Sequence, residues 1–182
     1  MLWIWIVGGL LGVLVATVLV FWLIGRALPD RHVIDATLTL DRPAAEVFAA
    51  LADTPGVPSW DKGVTRVERL PEREGRETWR WVMGRNRMVL ETTRHEPPRV
   101  LVRTIADEAQ FFSGDWTFEV RDAGRGCAVH LTEHGRIHSA IPRAMMKHVV
   151  DPAMYLKRHL RALAAKFGED ARIETGKIRF GP

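Results

Sequence analysis

Residues 2 to 25 contain no charged side chain, and this apolar stretch constrains the chain more than any other feature. As a helix rising about 1.5 Å per residue, it would be roughly 36 Å long. That length is enough to cross a hydrocarbon core of about 30 Å. Trp3 and Trp5 lie near one end and Phe21 and Trp22 near the other, where aromatic rings favour the membrane interface. The segment therefore predicts a transmembrane helix.

A cleaved secretory signal peptide is the main alternative for this segment. Such a peptide has a basic start, a shorter apolar run and a small-residue cleavage site. Here no Lys or Arg precedes the run, and residues 26 to 30 offer no small residues spaced for cleavage. We therefore predict an uncleaved anchor over residues 1–28. Arg26 and Arg31 follow the span, so the positive-inside rule places the rest of the chain in the cytoplasm.

Gly8 and Gly12 form a G-x-x-x-G pair inside the anchor, a spacing that permits close helix dimers. The same pair is frequent by chance in apolar helices, so a homodimer stays an open alternative. The net charge of +4 comes from basic residues scattered along the chain. This distribution argues against nucleic-acid binding and fits attraction to an anionic membrane surface. The lipid bilayer is therefore an expected partner, and nucleic acid is not.

The part of the chain after the anchor begins with a strand, a helix and a long series of further strands. Residues 34–40 alternate apolar and polar side chains, as a half-buried strand does. Pro43 and Glu46 suit the first turn of a helix. Residues 64–131 then read as strand after strand, joined by short glycine-containing loops that favour antiparallel hairpins.

A helical stripe follows Pro142 and runs to Gly168, a plausible helix end. Pro152 is expected to kink or divide this helix near Val150, because proline lacks the backbone donor. The tail, residues 169–182, alternates weakly and is open between a loose end and a docked strand. The predicted fold class is therefore α+β, with helices packed on one face of an antiparallel sheet.

Five motifs in this order and spacing are similar to a known family. They are Leu40-Asp41-Arg42-Pro43-Ala44-Ala45-Glu46-Val47-Phe48, Pro58-Ser59-Trp60, Glu96-Pro97-Pro98-Arg99, residues 113–120 and residues 126–135. The chain resembles the START-like or SRPBCC superfamily of polyketide cyclase-like, helix-grip proteins over residues 33–168. It looks most like bacterial members with an N-terminal membrane helix, which implies a single-pass protein of the bacterial inner membrane.

This resemblance implies a curved antiparallel sheet wrapped around a long C-terminal helix, with an apolar cavity between them. It implies a domain over residues 31–168, preceded by the anchor and followed by the tail. It implies neither a particular ligand nor a reaction, and no cofactor is expected.

Large side chains share one face on each of two predicted strands, as a cavity lining would require. The first set is Trp79, Trp81 and Met83, and the second is Trp116, Phe118 and Val120. Phe112, Met145 and Met154 are plausible additions from a loop and the helix. A packed core is the alternative interpretation, because large aromatic side chains bury much area wherever they lie.

Glu133 is the polar candidate for the site, since it shares the strand face of Val129 and Leu131. Buried there, it could orient a ligand, act as an acid or base, or accept bonds from backbone amides around Gly135. Arg103 is a candidate partner for its carboxylate.

The other reactive residue types suggest little chemistry. His130, His134 and His138 alternate on a predicted strand, on the face opposite Val129, so we expect them to be solvated and to bind no metal. Cys127 has the position of a buried, inert thiol. The serines stand in no nucleophile motif.

Three functions remain open from the sequence. The first is membrane-tethered binding of a hydrophobic small molecule or lipid in an apolar cavity. The second is a cyclase- or aromatase-like enzyme that uses a polar group such as Glu133. The third is a scaffolding domain whose core is filled.

Overall fold

A computed structural model describes residues 1–107 and 111–181. Its first element is the predicted apolar helix, α1 (Leu2–Ala27). Within the described residues, this is the one helix long and apolar enough to cross a membrane, and none of that apolar window is buried. A membrane span and a signal sequence both pass this test, so the anchor stays a prediction.

The remaining elements form an α+β domain. In chain order they are β1 (Arg31–Leu40), α2 (Ala44–Ala52), α3 (Val57–Trp60), β2 (Arg66–Arg73), β3 (Arg76–Met83), β4 (Asn86–Glu96), β5 (Val100–Ile105), β6 (Phe112–Ala123), β7 (Gly126–Ile137), α4 (Ala140–His148), α5 (Met154–Lys166), β8 (Arg172–Thr175) and β9 (Arg179–Phe180). The strands of the described ranges make one antiparallel sheet in the order β2-β3-β4-β5-β6-β7-β1-β8, with β9 also paired to β1.

Period-two alternation decides which face of the sheet is buried. Every second residue of β1 from His32 to Leu40 is buried, as strand geometry requires of a half-covered strand. The turns after β3 and β6 use Gly84 and Gly124, both at φ +62°, a left-handed conformation that glycine adopts without steric cost. Tight turns of this kind join sequential strands as antiparallel neighbours. The result is the predicted helix-grip fold, with a curved sheet and C-terminal helices on its buried face.

The C-terminal helix is divided, as Pro152 predicts. α4 ends at His148 and α5 begins at Met154. The prediction of one apolar stripe along this whole segment is therefore wrong, because the two helices do not share one helical register. Met145 and Met154, expected to face the interior, are 41% and 43% exposed. The residues of α5 that do face the sheet include Leu156, Leu160 and Leu163, all fully buried.

The tail is a docked strand rather than a loose end. β8 pairs with β1 from Arg172 opposite Thr39 to Thr175 opposite Ala36, and β9 pairs with the start of β1. Strand β1 would otherwise leave a row of backbone donors and acceptors unpaired at the sheet edge, so this pairing satisfies them.

α4 packs against the C-terminal part of α1. Arg143 Nη1 donates to Leu28 O at 2.8 Å and to Gly25 O at 3.1 Å, which are carbonyls that the end of a helix leaves unpaired. A Cβ atom at Gly25 would overlap the backbone carbonyl of Ala140, so glycine permits the close approach. The long apolar helix and the domain are therefore joined by specific contacts.

Candidate functional site

An aromatic cage surrounds one histidine on the buried face of the sheet. α5 carries His159 into a position where four rings from α3, β3 and β6 lie around it. Their centroids are 5.1 Å (Trp60), 5.5 Å (Trp116), 5.8 Å (Phe118) and 6.3 Å (Trp81) from the imidazole. Strand parity explains the arrangement, because Trp81, Trp116 and Phe118 all point to the face that α5 covers. We call these four rings the cage.

Asp61 forms a hydrogen bond with His159, the histidine inside the cage. Its Oδ2 lies 2.7 Å from His159 Nδ1, and both side chains are 2% exposed. The other oxygen of the carboxylate, Oδ1, accepts the backbone N–H of Gly63 at 2.8 Å. The backbone of the turn that follows α3 thus also fixes the orientation of the Asp61 carboxylate.

Protonation of this pair is set by burial and by mutual contact. Burial is the largest influence on His159 and lowers its pKa below 6.5, although the hydrogen bond to Asp61 acts in the opposite direction. Burial alone would raise the pKa of Asp61, but the hydrogen bond and charge of His159, the Gly63 N–H and the charge of Arg158 together outweigh it and lower that pKa below 3.8. At neutral pH the carboxylate is ionised and can only accept, so Nδ1 donates and Nε2 carries the free lone pair.

Several buried nitrogens around the cage have no hydrogen-bond partner among the described residues. They are His159 Nε2, the indole nitrogens of Trp60, Trp79 and Trp81, and Arg103 Nε. Leaving a buried donor or acceptor unpaired costs about 1–3 kcal/mol each. Native proteins rarely retain such a group without a water, an ion or a ligand beside it. This concentration of unpaired nitrogens is the main indication that the cage could bind a ligand.

Arg103 is buried beside the cage and makes neutral contacts. Its Nη2 donates to Leu51 O and to Thr54 Oγ1, each at 2.8 Å, and its guanidinium lies 5.2 Å from the Trp81 ring centroid. Burial lowers the pKa of Arg103 to about 10. The predicted pairing with Glu133 is wrong, because the guanidinium is held by the end of α2 instead.

Glu133 bonds to two side chains of neighbouring strands. Its Oε2 accepts Trp116 Nε1 at 2.7 Å, and its Oε1 lies 3.1 Å from His32 Nε2 on β1. The Glu133 side chain is 19% exposed, whereas His32 is 3% exposed. Trp116 therefore connects the two polar groups of this face, since its ring lies against His159 while its N–H binds Glu133. The expected acceptance from backbone amides near Gly135 is replaced by these contacts.

The other predicted site residues lie outside the cage. Met83 packs at the edge of the core. Phe112 packs edge-on against Phe111, with centroids 4.9 Å apart. Met145 and Met154 face outward, as described above. Of the ten candidate ligand-binding residues, the structure brings together Trp81, Trp116 and Phe118 in the cage, with Arg103, Trp79 and Glu133 beside them.

The three histidines predicted to lie on one strand each contact another side chain, although His138 lies just after the end of β7. His130 Nδ1 lies 2.9 Å from Thr37 Oγ1, His134 Nδ1 lies 3.2 Å from Asp115 Oδ2, and His138 Nε2 lies 3.1 Å from Ser113 Oγ. Among the described residues, no three His, Cys, Asp or Glu side chains are placed to hold one metal ion. Cys127 is fully buried, and burial raises the pKa of its thiol to about 11.

Sequence reasoning missed the central pair, Asp61 and His159. A signal for His159 was present, because it stands three residues after Leu156 and four before Leu163, on the apolar face of the helix. A polar residue in that register has to be bonded or functional. Asp61 directly follows the Pro58-Ser59-Trp60 motif, but nothing local indicates that its partner lies 98 residues further along the chain.

Two grooves lie away from the cage. One, of about 590 Å³, is lined by residues of α2, the β4–β5 turn and β6, including Ala44, Arg99 and Asp122. The other, of about 380 Å³, lies between α1 and Ile141 of α4 and has an almost wholly apolar lining. Among the cage residues, Trp60, Trp81 and Phe118 are buried and Trp116 is half-buried.

Comparison with solved structures shows the same fold in proteins of low sequence identity. A START superfamily protein from Mycobacterium smegmatis has a TM-score of 0.64 at 14% identity, with 74% of this chain and 96% of that one covered. The Zhui aromatase/cyclase from a Streptomyces species has a TM-score of 0.57 at 18% identity, with 75% and 93% covered.

A third similar structure is the di-domain aromatase/cyclase StfQ from the steffimycin biosynthetic pathway. Its TM-score is 0.61 at 10% identity, with 75% of this chain covered, and the chain spans 50% of the length of StfQ. A sequence comparison with curated proteins gives no match. Residues 31–168 match the family model described as polyketide cyclase / dehydrase and lipid transport. The chain therefore belongs to this family, within the START-like or SRPBCC superfamily.

Proposed function

We propose that this protein is a membrane-tethered binder of a hydrophobic small molecule or lipid, which it holds in the cage. One observation carries the proposal, namely the unpaired nitrogens of Trp60, Trp81 and His159 in an aromatic surrounding. A ligand with apolar surface and one or two oxygen atoms would cover the rings and complete the missing hydrogen bonds. Membership of a family of cyclases and lipid-transport proteins supports the same class of ligand.

The chemistry of the cage narrows the ligand further. An indole N–H only donates, so Trp60 and Trp81 require an acceptor such as a carbonyl or ether oxygen. The free Nε2 of neutral His159 requires a donor, which a hydroxyl group supplies. Arg103, held above Trp81, adds a positive charge that favours electron-rich oxygen. A mainly apolar molecule with a carbonyl and a hydroxyl group matches all three requirements.

Tethering would come from α1. Between Trp3 and Ile24 its side chains are apolar apart from Thr17 and are mostly exposed, and the Arg26 guanidinium lies 4.9 Å from the Trp22 ring. An aromatic ring beside a cation is typical of a membrane interface. Arg26 and Arg31 support a cytoplasmic position for the domain at a bacterial inner membrane. The faces of Gly8 and Gly12 are open, with nothing within 4 Å of an added Cβ, so the homodimer through α1 also remains a proposal.

The test is recovery of the bound molecule. The full chain, purified in detergent, is examined by native mass spectrometry, and Trp81→Phe is compared with it. This substitution keeps a ring and removes the N–H, which makes no hydrogen bond within the described structure, so folding is expected to survive. Trp5→Phe, the same change at a residue of α1 that is 78% exposed, is the matched control.

We expect the wild type and the Trp5→Phe variant to retain an apolar molecule that Trp81→Phe retains less well. A wild type that carries no such molecule would favour the filled-core scaffolding domain instead. Equal retention in all three proteins would mean that the molecule is not held in the cage, and would contradict the proposal.

A cyclase-like enzyme is the second candidate, and the Asp61–His159 pair favours it. A neutral imidazole oriented by a carboxylate, with a free Nε2, is a suitable general base. Glu133 remains the other candidate, although its two bonds already occupy the carboxylate. The enzyme hypothesis predicts that the molecule recovered from His159→Gln differs in mass from that recovered from the wild type. Identical masses in the wild type, His159→Gln and Glu133→Gln would remove this candidate.

A further inference from the structure

Apart from Met1 and α1, the exposed large hydrophobic side chains of the described residues concentrate at one place. They are Phe111, Met145, Val149, Val150, Met154 and Tyr155, which we call the α4–α5 patch. Five of the six lie within eleven consecutive residues, and Phe111 is joined to the start of α4 because its carbonyl accepts the N–H of His138 at 2.9 Å. Val149 is 62% exposed. Such a concentration marks an interaction surface.

The position of this patch is set by the contact between α4 and α1. Arg143 binds the carbonyls of Gly25 and Leu28 at the end of α1. Ile141 closes an apolar groove with the side chains of Val18, Trp22 and their neighbours. α4 therefore lies beside the C-terminal part of α1, near where this helix would leave the hydrocarbon core. Met145 of the patch stands about one helical turn after Ile141, so the patch begins beside the apolar surface of α1.

The polar residues around the patch are mostly basic. Lys147, His148 and Arg158 are exposed beside it, and Arg158 lies 5.3 Å from the ring centroid of Tyr155. Asp151, the acidic residue of this stretch, is paired with Lys157 at 2.8 Å. Apolar side chains surrounded by cations, with a tyrosine at the boundary, suit an anionic membrane surface.

We propose that the α4–α5 patch inserts into the bilayer surface, in the leaflet where α1 ends. The inference rests on the proposed anchor role of α1 and adds a second, separate membrane contact. Apolar faces of interfacial helices typically enter about 5–10 Å into the headgroup and acyl boundary. α5 starts in the patch at Met154 and carries His159 five positions later. The helix that covers the cage therefore begins at the lipid, and a lipid-dissolved ligand reaches the cage from that leaflet.

The experiment measures lipid contact at single positions of the full chain. Val149→Cys and Met154→Cys are each made with Cys127→Ala, labelled with an environment-sensitive fluorophore and reconstituted in vesicles that contain anionic lipid. Quenching by lipids with a nitroxide on the acyl chain is then recorded. Leu11→Cys reports on α1 separately. Arg125→Cys is the control, because it lies in the β6–β7 turn, at the opposite end of the 12-residue β7 from α4.

We expect the labels at Val149 and Met154 to be quenched by the lipid nitroxide, as the label at Leu11 is, because an inserted helix face reaches the acyl boundary. The label at Arg125 should lose almost no fluorescence. If Leu11 is quenched and the two patch positions behave like Arg125, the anchor stands and the inference about the patch is wrong. If the label at Leu11 is not quenched either, both the proposed anchor and the inference about the patch are wrong. Patch labels shielded from lipid nitroxide and from aqueous iodide alike would indicate a protein contact, such as a second copy, and would also overturn the inference.

Should Cys127→Ala alter the tryptophan emission of the folded chain, the native Cys127 is kept. It is fully buried with a raised pKa, so it is not expected to take the label.

Discussion

The Asp61–His159 pair is the feature whose loss has the most calculable consequence. Replacing Asp61 by Ala removes the acceptor of two donors at once, His159 Nδ1 at 2.7 Å and the Gly63 N–H at 2.8 Å. Both members of the pair are 2% exposed, so water does not readily replace the carboxylate.

Each of the two donors left without an acceptor costs about 1–3 kcal/mol, so the total loss should be about 4 kcal/mol. With a urea dependence of about 1–3 kcal/mol per molar for a domain of this size, the unfolding midpoint should fall by roughly 2 M. This is several times the effect of an exposed capping aspartate. Asp53 is such a residue, since its Oδ1 accepts the Gly56 N–H at 3.2 Å, and Asp53→Ala should cost about 1 kcal/mol.

Tryptophan fluorescence of the full chain in detergent reports the transition, because four of its seven tryptophans lie in the domain. Asp53→Ala serves as the matched control. The reasoning is refuted if Asp61→Ala destabilises the domain no more than Asp53→Ala. It is equally refuted if Asp61→Ala and His159→Ala add independently in a double-mutant cycle, because bonded partners must couple.

Three further predictions follow from the buried groups and from the α1–α4 contact. The folded-state pKa of His159 lies below 6.5, so the unfolded chain takes up this proton first. The free energy of unfolding should therefore fall as the pH drops below about 6.5, by up to about 1.4 kcal/mol per pH unit. His159→Gln should remove this part of the pH dependence, measured by urea unfolding at several pH values. The contribution of Asp61, whose pKa lies below 3.8, is lost at still lower pH.

Cys127 should resist alkylation at pH 8 in the folded chain and react after denaturation, because burial raises its pKa to about 11; rapid labelling without denaturant would contradict its burial. Gly25→Leu should separate α4 from α1, since any Cβ there overlaps Ala140. Increased proteolysis near residues 138–143 would show this, with Gly9→Leu in the open part of α1 as the control.

Local pattern was sufficient to predict the layers of this fold. The period-two alternation placed Trp79 with Trp81 and Trp116 with Phe118 on one face, and the pleat of a strand makes this unavoidable. Proline chemistry was likewise enough to predict a division between α4 and α5. These features depend on near neighbours in the chain, so the sequence carries them directly.

The contacts of the candidate site join residues that are far apart in the sequence, so they could not be predicted from local pattern. Glu133 bonds His32 because β1 and β7 are adjacent in the sheet, a pairing that closes across 101 residues. Arg103 binds the end of α2 because the helix packs against β6 and β7, and β5 is the neighbour of β6 in the sheet. The docked tail could not be told from a loose end, since its weak alternation becomes a strand only beside the free edge of β1. Met145 and Met154 were misplaced because a helical stripe cannot be extended across a break of unknown geometry.

The short connection between α1 and the domain has a consequence for how cargo could travel. Residues 28–30 alone separate α1 from β1, a segment that extends about 10 Å at most, and Arg143 fixes its start. With α1 in a bilayer, the domain could not swing out to a second membrane. Any molecule it binds would be taken from and returned to the same bilayer, or passed to a protein that comes to that surface. The anchored protein described here would therefore bind its ligand at one membrane and would not carry it between compartments.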